Sequence, residues 1–560
     1  MIQPNLPAAS HSVWSPLRRP LFRNRLIASV VSNTGSWMQD TAGAWLMTAL
    51  TTSPLLIALM QTAASLPVLL LGLPAGATAD ILDRRRLLLA WSGWMLLAAA
   101  ILSALTFAGL INAWWLLLLT FFLSAGSAMN GPTWQAIVPE LVPREELPEA
   151  IALNSAAFNI ARAVGPAAGG LAVAAFASVM FGAGLVFLIN AFSFGAVLVV
   201  IYRWKRKPLF TSALPAERLM ASMRSGLRYT RFTPTLRAIL TRAFLLTFCV
   251  SGMWALLAVV AKQHVRRGAM GYGILTACIG VGAVTGAILL PKMRRRYSAD
   301  TIVNAAALAF TITLLVLGWV HQFWILILAL LLGGMAWTST TSCLNIAVQL
   351  SVPAWVQARS LGIYQMVFQG GMAIGSAVWG AVAEHSSAGI ALSAGAAGLL
   401  GTLTFTRKFP LMSAAALDHS PGRLAHALSR SAPQVMIEPH PEEGPVLITV
   451  TFRIDPKRAA EFVQAAHELG RIRRRDGAIR WALYRDPFDA TRYLETYVVE
   501  SWLERRRQIE RFTVADHAIR NRAMSFHVAE SPPSVSRLIL ARTHPATAPN
   551  ESDPKNQQSP

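Results

Sequence analysis

The chain has 560 residues, 54% of them hydrophobic and only 14% charged, with a mean hydropathy of +0.45. Soluble globular chains carry about 25% charged residues, so composition excludes an ordinary soluble domain and implies a polytopic membrane protein. The net charge of +22 sits in short clusters between apolar runs, as juxtamembrane Lys/Arg facing anionic lipid would, and no nucleic-acid partner is expected. Cys249, Cys278 and Cys343 lie in apolar segments without metal or disulfide spacing, so no metal and no cofactor is expected either.

A polar tail, residues 1–24, carries Arg18, Arg19 and Arg23 and has no cleavage site of a removable signal peptide. Twelve apolar runs follow, near 26–50, 55–79, 87–109, 114–136, 149–172, 179–201, 237–261, 271–291, 300–320, 322–346, 358–383 and 388–406. Each is long enough to cross a hydrocarbon core of about 30 Å as a helix. With the N-terminus inside, the inner loops and tails hold about 23 Lys/Arg. The outer loops hold Lys262, Arg266 and Arg267, which places both termini in the cytoplasm. The expected architecture is an all-α membrane protein of two six-helix bundles, residues 25–201 and 237–406, joined by a cytoplasmic loop, 202–236.

An internal repeat supports this division. A shift of 210 residues carries Gly76 onto Gly286 and Arg84–Arg86 onto Arg294–Arg296. The same shift carries Val142–Pro143 onto Val352–Pro353, Phe158 onto Phe368 and Gly165 onto Gly375. Two bundles repeated in the same sense imply an axis along the membrane normal with a substrate path between them, which favours a transporter over a receptor or membrane-bound enzyme.

Beyond a Ser/Ala/Pro/His-rich linker, 407–444, a domain is expected over 445–540, and the tail 541–560 reads as disordered. VLITVTFRI, AIRWALYRD and RYLETYVVES read as strands, and DPKRAAEFVQAAHELGRIRRR and SWLERRRQIERFTVADHAIRN as helices. MSFHVAES reads as a last short strand. Strand-helix-strand-strand-helix-strand is the order of the ferredoxin-like α+β unit.

The loop GLPAGATADILDRRRLLLA carries Gly76, Asp80, Arg84 and Arg85 and resembles the loop signature of the major facilitator superfamily. Asp83 stands where that signature usually has Gly. The resemblance implies a cytoplasmic gate loop in which Gly76 permits close helix approach and Asp80 latches a helix end. AFNIARAVGPAAGG resembles the fifth-helix motif of facilitator antiporters through Gly165, Pro166, Gly169 and Gly170, with Ala152 and Ala161 in place of two upstream glycines. GPTWQAIVPELVPREELPEAIALNSAAFNIARAVGPAAGG (Gly131–Gly170), together with SWMQDTAGAWLMTAL (Ser36–Leu50), looks like the enterobactin-exporter-like branch, often labelled transmembrane secretion effectors, a resemblance over about residues 15–410. This implies a proton-driven exporter of a siderophore, drug or other metabolite in the bacterial inner membrane. The segment after the linker resembles antibiotic-biosynthesis-monooxygenase-type domains. Arg505 and Ile509 occupy places where histidines are common in that pattern, so pairing of two copies or regulation is expected there above enzymatic activity. A membrane-anchored enzyme or sensor acting through this domain is the alternative reading.

SWMQDTAGAWLM (Ser36–Met47) places Asp40 in the middle of the first apolar run, where an acid is expensive unless it faces a cavity or partner. The other mid-run charge of the first half is Arg162, inside the antiporter-like motif. In the facilitator fold the first and fifth helices are neighbours, so a cavity ion pair between Asp40 and Arg162 is expected, coupling protons to substrate, fixing two helices or touching substrate directly. Under the shift of 210 they map to Val250 and Met372, so neither charge belongs to the repeated scaffold. Further cavity candidates are Asn33, Trp37, Gln39, Asn130, Trp134, Gln135, Asn159, Gln365 and Gln369.

Overall fold

The computed structural model describes residues 14–143, 146–204, 219–265, 267–406 and 439–541, and the chain divides into two compact units near Leu417 and Asp418. The expected N-terminal tail, linker and C-terminal tail lie largely outside the described residues.

In the first unit, residue chemistry sets the helix ends. Helix α1 spans Pro20–Leu50, and Pro54–Ile81 (α2) opens on Pro54 with the Ser53 hydroxyl accepting from Leu56 N. Proline at the first helical position loses no intrahelical bond, and a hydroxyl N-cap satisfies an otherwise orphaned donor. Asp83, Asn112 and Ser178 cap Arg84–Phe107 (α3), Ala113–Ala136 (α4) and Val179–Arg203 (α6) in the same way. Between α4 and α6 lies Leu147–Ala174 (α5). An amphipathic helix that the sequence reading left inside the 202–236 loop, Leu219–Phe232 (α7), precedes α8. Helix α8 runs in two pieces, Pro234–Val250 and Gly252–Val260, and ends in a π-helical turn over Ala261–Val265. Gly268–Arg296 (α9), Ala299–Trp319 (α10), Phe323–Leu350 (α11), Ala354–His385 (α12) and Ala388–Thr406 (α13) complete the unit.

Among the described residues nine helices are long and apolar enough to cross a membrane. The other three runs read as spans are also helical: α1, α5 and α13. Helix α1 carries Arg25 and Asp40, α5 carries Arg162, and α13 is short.

The repeat reappears in the packing. Within the first half, α1 packs on α5 and α6, α2 on α4, and α3 on α6. Within the second, α8 packs on α12, α9 on α11, and α10 on α13. The halves meet mainly through α2 with α12 and α5 with α9, pairs that exchange under the repeat. Locally, Gly165 of α5 abuts Thr34 and Trp37 of α1, and its counterpart Gly375 abuts Phe248 and Ser251 of the α8 region.

In the second unit a four-stranded antiparallel sheet has the order β2-β3-β1-β4, from Val446–Arg453 (β1), Ala478–Arg485 (β2), Arg492–Val499 (β3) and Ser534–Ile539 (β4). With Ala459–Arg475 (α14) between β1 and β2, this order is compatible with the ferredoxin-like unit. Two expectations need correction. The stretch 501–521 forms two helices, Trp502–Glu510 (α15) and Val514–Met524 (α16), because Thr513 and Asp516 make a reciprocal capping box that starts a new helix. MSFHVAES forms only an isolated bridge, Ile454 with His527, and the last strand comes later, at Ser534–Ile539. Val450, Phe452, Ile454, Phe462 and Leu469 anchor the core between sheet and helices.

Candidate functional site

The residues singled out around the middle of the membrane unit fall into separate groups. Asp40 is exposed although it lies mid-helix, and its carboxylate makes no hydrogen bond or ion pair among the described residues. It lies within electrostatic reach of Tyr272 on α9, whose ring stacks on Trp45 of α1 at 5.9 Å. Arg162 reaches the other bundle too: its Nη2 donates to Thr338 Oγ1 of α11 at 3.3 Å, while its buried Nε has no partner. The ion pair expected between Asp40 and Arg162 is therefore not made in this conformation. The α1 face that meets α5 is built from Thr34, Trp37 and Met38, so Asp40 and Arg162 engage different helices of the second bundle.

Trp37 lines this region with its ring 6.4 Å from that of Phe158, in an edge-to-face arrangement. Gln365 is exposed and Gln369 partly buried on α12. Asn33 donates to Ser29 Oγ, and Asn159 to the carbonyl of Ser155 on its own helix. Asn130 is partly buried with Oδ1 unpartnered, and Gln135 is exposed.

Two candidates serve the first bundle's interior instead. Gln39 is buried and accepts from Asn190 Nδ2 of α6 at 2.6 Å, so this amide ties α1 to α6. Trp134 is held by Arg25, a residue that sequence reasoning missed. Arg25 is only 3% exposed; it donates to Trp134 O at 3.0 Å and Asn154 Oδ1 at 3.3 Å, with its guanidinium 4.6 Å from the indole. Arg25 directly precedes the apolar run, where a basic residue reads as a boundary marker.

The antiporter-like motif is a two-sided contact. A Cβ at Gly169 would lie 2.7 Å from Met38 O of α1. On the other side, a Cβ at Gly170 would lie 2.8 Å from Gly273 Cα of α9, and one at Gly273 would lie 2.8 Å from Pro166 O. One at Gly280 would lie 2.6 Å from Arg162 O. Side chains cannot occupy such gaps, so α5 is wedged against both α1 and α9.

In the gate loop, a Cβ at Gly76 would meet nothing within 4 Å, so the close helix approach expected there is absent in this conformation. The Asp80 side chain lies outside the described residues. Asp83, the departure from the signature, caps α3 by accepting from Arg86 N at 2.9 Å. Arg84 Nε donates to Ala79 O at 3.4 Å, and Arg85 donates to Ile201 O and Tyr202 O at the end of α6, where a cation offsets the helix dipole.

At the opposite end, both sides of the α1–α2 turn are held by the second bundle. Lys262 Nζ donates to Thr48 O near the end of α1. Glu384 Oε2 of α12 accepts from Ser53 Oγ at 2.8 Å and Leu55 N at 3.2 Å at the start of α2.

Two repeated helical bundles meeting along paired helices, with polar residues of one reaching the other near the middle, define a transporter of the major facilitator type. A family model described as transmembrane secretion effector matches residues 11–544, and the chain belongs to that family. An uncharacterised major-facilitator-type transporter, YfiS, of Bacillus subtilis (strain 168) is 25% identical over 66% of this chain and 89% of its own. The staphyloferrin A transporter of Staphylococcus aureus is 25% identical over 59% of this chain and 82% of its own. The multidrug efflux pump Tap of Mycolicibacterium fortuitum is 22% identical over 60% and 83%. Among solved structures, a point mutant of the nucleoside transporter NupG aligns with a TM-score of 0.57 at 13% identity, covering 70% of this chain and all of that one. An inward-facing bacterial homologue of the iron transporter ferroportin aligns at 0.55 with 16% identity, covering 70% and 98%. These structures carry the fold. The chain is a multi-pass membrane transporter of a small molecule.

Proposed function

We propose that the protein is a proton-coupled exporter with twelve membrane-crossing helices and both termini in the bacterial cytoplasm. The siderophore and multidrug relatives support a small metabolite or drug as cargo. Basic clusters at Arg84–Arg86 and Arg294–Arg296 support an inside position for the gate-loop end. The outer end is then the one held by Lys262 and Glu384. Towards the inside, the first turns of α5 leave Ile151 and Phe158 exposed by 53% and 43%, and the close contacts of α5 with α9 lie further along, from Arg162 to Gly170. The conformation is inward-facing, with α5 and α9 closing the outer path.

The observation that carries this reading is Asp40, an exposed mid-helix carboxylate without a hydrogen-bonding partner among the described residues, facing the second bundle beside Trp45 and Tyr272. Such an acid is free to take a proton from one side and release it on the other as the bundles rock. Arg162, bound to Thr338, holds the cation on the far side of the same path and keeps the two charges apart in this state. In reconstituted vesicles, efflux of a candidate siderophore or dye is expected to depend on an imposed pH gradient. Asp40→Asn is expected to remove that dependence and lower gradient-driven efflux at least about tenfold. Undiminished efflux after collapse of the gradient, or normal coupled export by Asp40→Asn, would sink the proposal.

The C-terminal domain pairs two copies in this reading. The sheet face away from the helices carries Leu447, Val498 and Leu538 in one cross-strand row and Leu494 beside Tyr484 in another, an apolar surface suited to a second sheet. The enzyme alternative gains little: His467 Nδ1 is engaged with Val463 O, and the His517 ring packs edge-on against Phe512. A truncation at Arg407 that inserts normally is expected to retain coupled efflux.

A further inference from the structure

The helix-covered side of the C-terminal sheet gathers several partly buried guanidiniums around the buried carboxylate of Glu495. Glu495, 2% exposed, projects from β3 between Tyr493 and Tyr497. Its Oε1 accepts from Trp481 Nε1 at 2.9 Å and Arg473 Nε at 3.4 Å, while its buried Oε2 has no partner. Two guanidiniums flank Tyr497, Arg473 at 4.7 Å and Arg505 at 5.8 Å from the ring centre. Arg505 Nη1 donates to Gln508 Oε1 at 2.6 Å, leaving its buried Nε without a partner. Arg520 of α16 makes no hydrogen bond or ion pair among the described residues and lies within electrostatic reach of Arg473, Tyr497 and Glu495. The strand register places Arg537 on this same side, in one row with Ile448 and Tyr497, and within reach of Arg505.

The other acids nearby are occupied. Arg475 binds Asp476 and Asp516, both at 2.7 Å, and Arg511 binds Glu504 at 2.6 Å. Asp476 also acts on Arg473. Glu495 thus acts on three guanidiniums at once, Arg473, Arg505 and Arg520. Burial, then mutual repulsion with Arg473, pushes Arg520 below the usual guanidinium range; burial and the same neighbour act on Arg505 against the pull of Tyr497. Desolvated charge of one sign is costly unless a counter-charge arrives, and forked guanidiniums over an aromatic ring suit oxyanions.

We infer that the guanidinium cluster around Tyr497 is a binding site for a multiply charged oxyanion, a polycarboxylate or a phosphate group, held by Arg473, Arg505 and Arg520. Glu495 competes with the ligand for Arg473 and sets the affinity. The site belongs to the appended domain and gives it a sensing role separate from the transport path.

The test uses the full-length protein in detergent, followed by thermal unfolding and by deuterium uptake of α15 and α16. The probes are citrate and inorganic pyrophosphate at millimolar concentration, with chloride at matched ionic strength as the control. A further arm supplies phosphatidylglycerol in mixed micelles, so that a lipid headgroup and a free anion are told apart. Either source is expected to slow exchange in α15 and α16. Arg520→Gln should weaken the response about tenfold or more while raising stability without anion, because a repelling charge is removed. Glu495→Gln should strengthen the response. No protection by any probe, an equal response in Arg520→Gln, or a variant less stable without anion would each overturn the inference.

Discussion

At the residue scale, Arg25 and Asp516 illustrate two ways of keeping a charge out of water. Arg25 has neutral partners: a carbonyl and a side-chain amide accept its hydrogen bonds, and an indole face lies against its guanidinium. Hydrogen bonds to a charged group contribute about 1.5–3 kcal/mol. Arg25→Met is therefore expected to lower stability by that order and to loosen Trp134, read as earlier thermal unfolding and red-shifted tryptophan emission. Asp516 is a carboxylate that burial alone would push up, yet Arg475 and the Thr513 backbone and hydroxyl donors outweigh burial and hold it below the usual carboxylate range. A depressed folded value adds stability that is present above about pH 4, where the unfolded carboxylate is ionised. That stability is lost as pH falls through the lower folded value. Unfolding of the C-terminal domain is thus expected to steepen below about pH 4, and Asp516→Asn should flatten the profile there while lowering stability at neutral pH. Asp40 stood out in the sequence because an acid interrupts hydrocarbon. Its separation from Arg162 was hidden, since spacing along α1 and α5 gives neighbouring helices but not which side chain looks past its neighbour to the other bundle.

At the element scale, helix ends and contacts obey local chemistry that is only partly readable. Ser53, Asp83, Asn112 and Ser178 cap their helices, and the helices between them lie close to the apolar runs. The break between α15 and α16 was equally written, in the Thr-x-x-Asp of residues 513–516, but it is masked by an unbroken polar run that reads as one helix. Helix α7 was missed because its alternating Arg and apolar residues fall in a loop by hydropathy alone. The wedge of α5 between α1 and α9 makes a sharp expectation. Gly273→Leu would force α9 away from Pro166 and Gly170, and should reduce efflux at least about tenfold with normal membrane insertion. Gly401→Leu, where a Cβ meets nothing within 4 Å, should leave efflux within about twofold in the same vesicle assay.

At the scale of the whole molecule, the shift of 210 residues survives as paired interfaces, α2 with α12 and α5 with α9. It fails where function breaks the symmetry: Gly76 stands open while Gly286 abuts Met335. Neither Lys262 nor Glu384 could be assigned to a latch from sequence, because each grips a helix terminus and not a complementary residue. If they hold the outer end shut, Lys262→Gln with Glu384→Gln should raise labelling of a cysteine at Ala58 by an impermeant outside reagent about fivefold, equivalent to about 1 kcal/mol. Unchanged labelling would remove the latch from the mechanism. Both residues ride on the same bundle, and their charges are opposite. When that bundle tilts, the pair carries no net charge through the membrane field, where each unpaired charge would exchange about 2.3 kcal/mol per 100 mV. A latch of this kind would open without electrical work of its own, and under the proposed coupling the voltage sensitivity of transport would fall to the cargo and to a proton on Asp40.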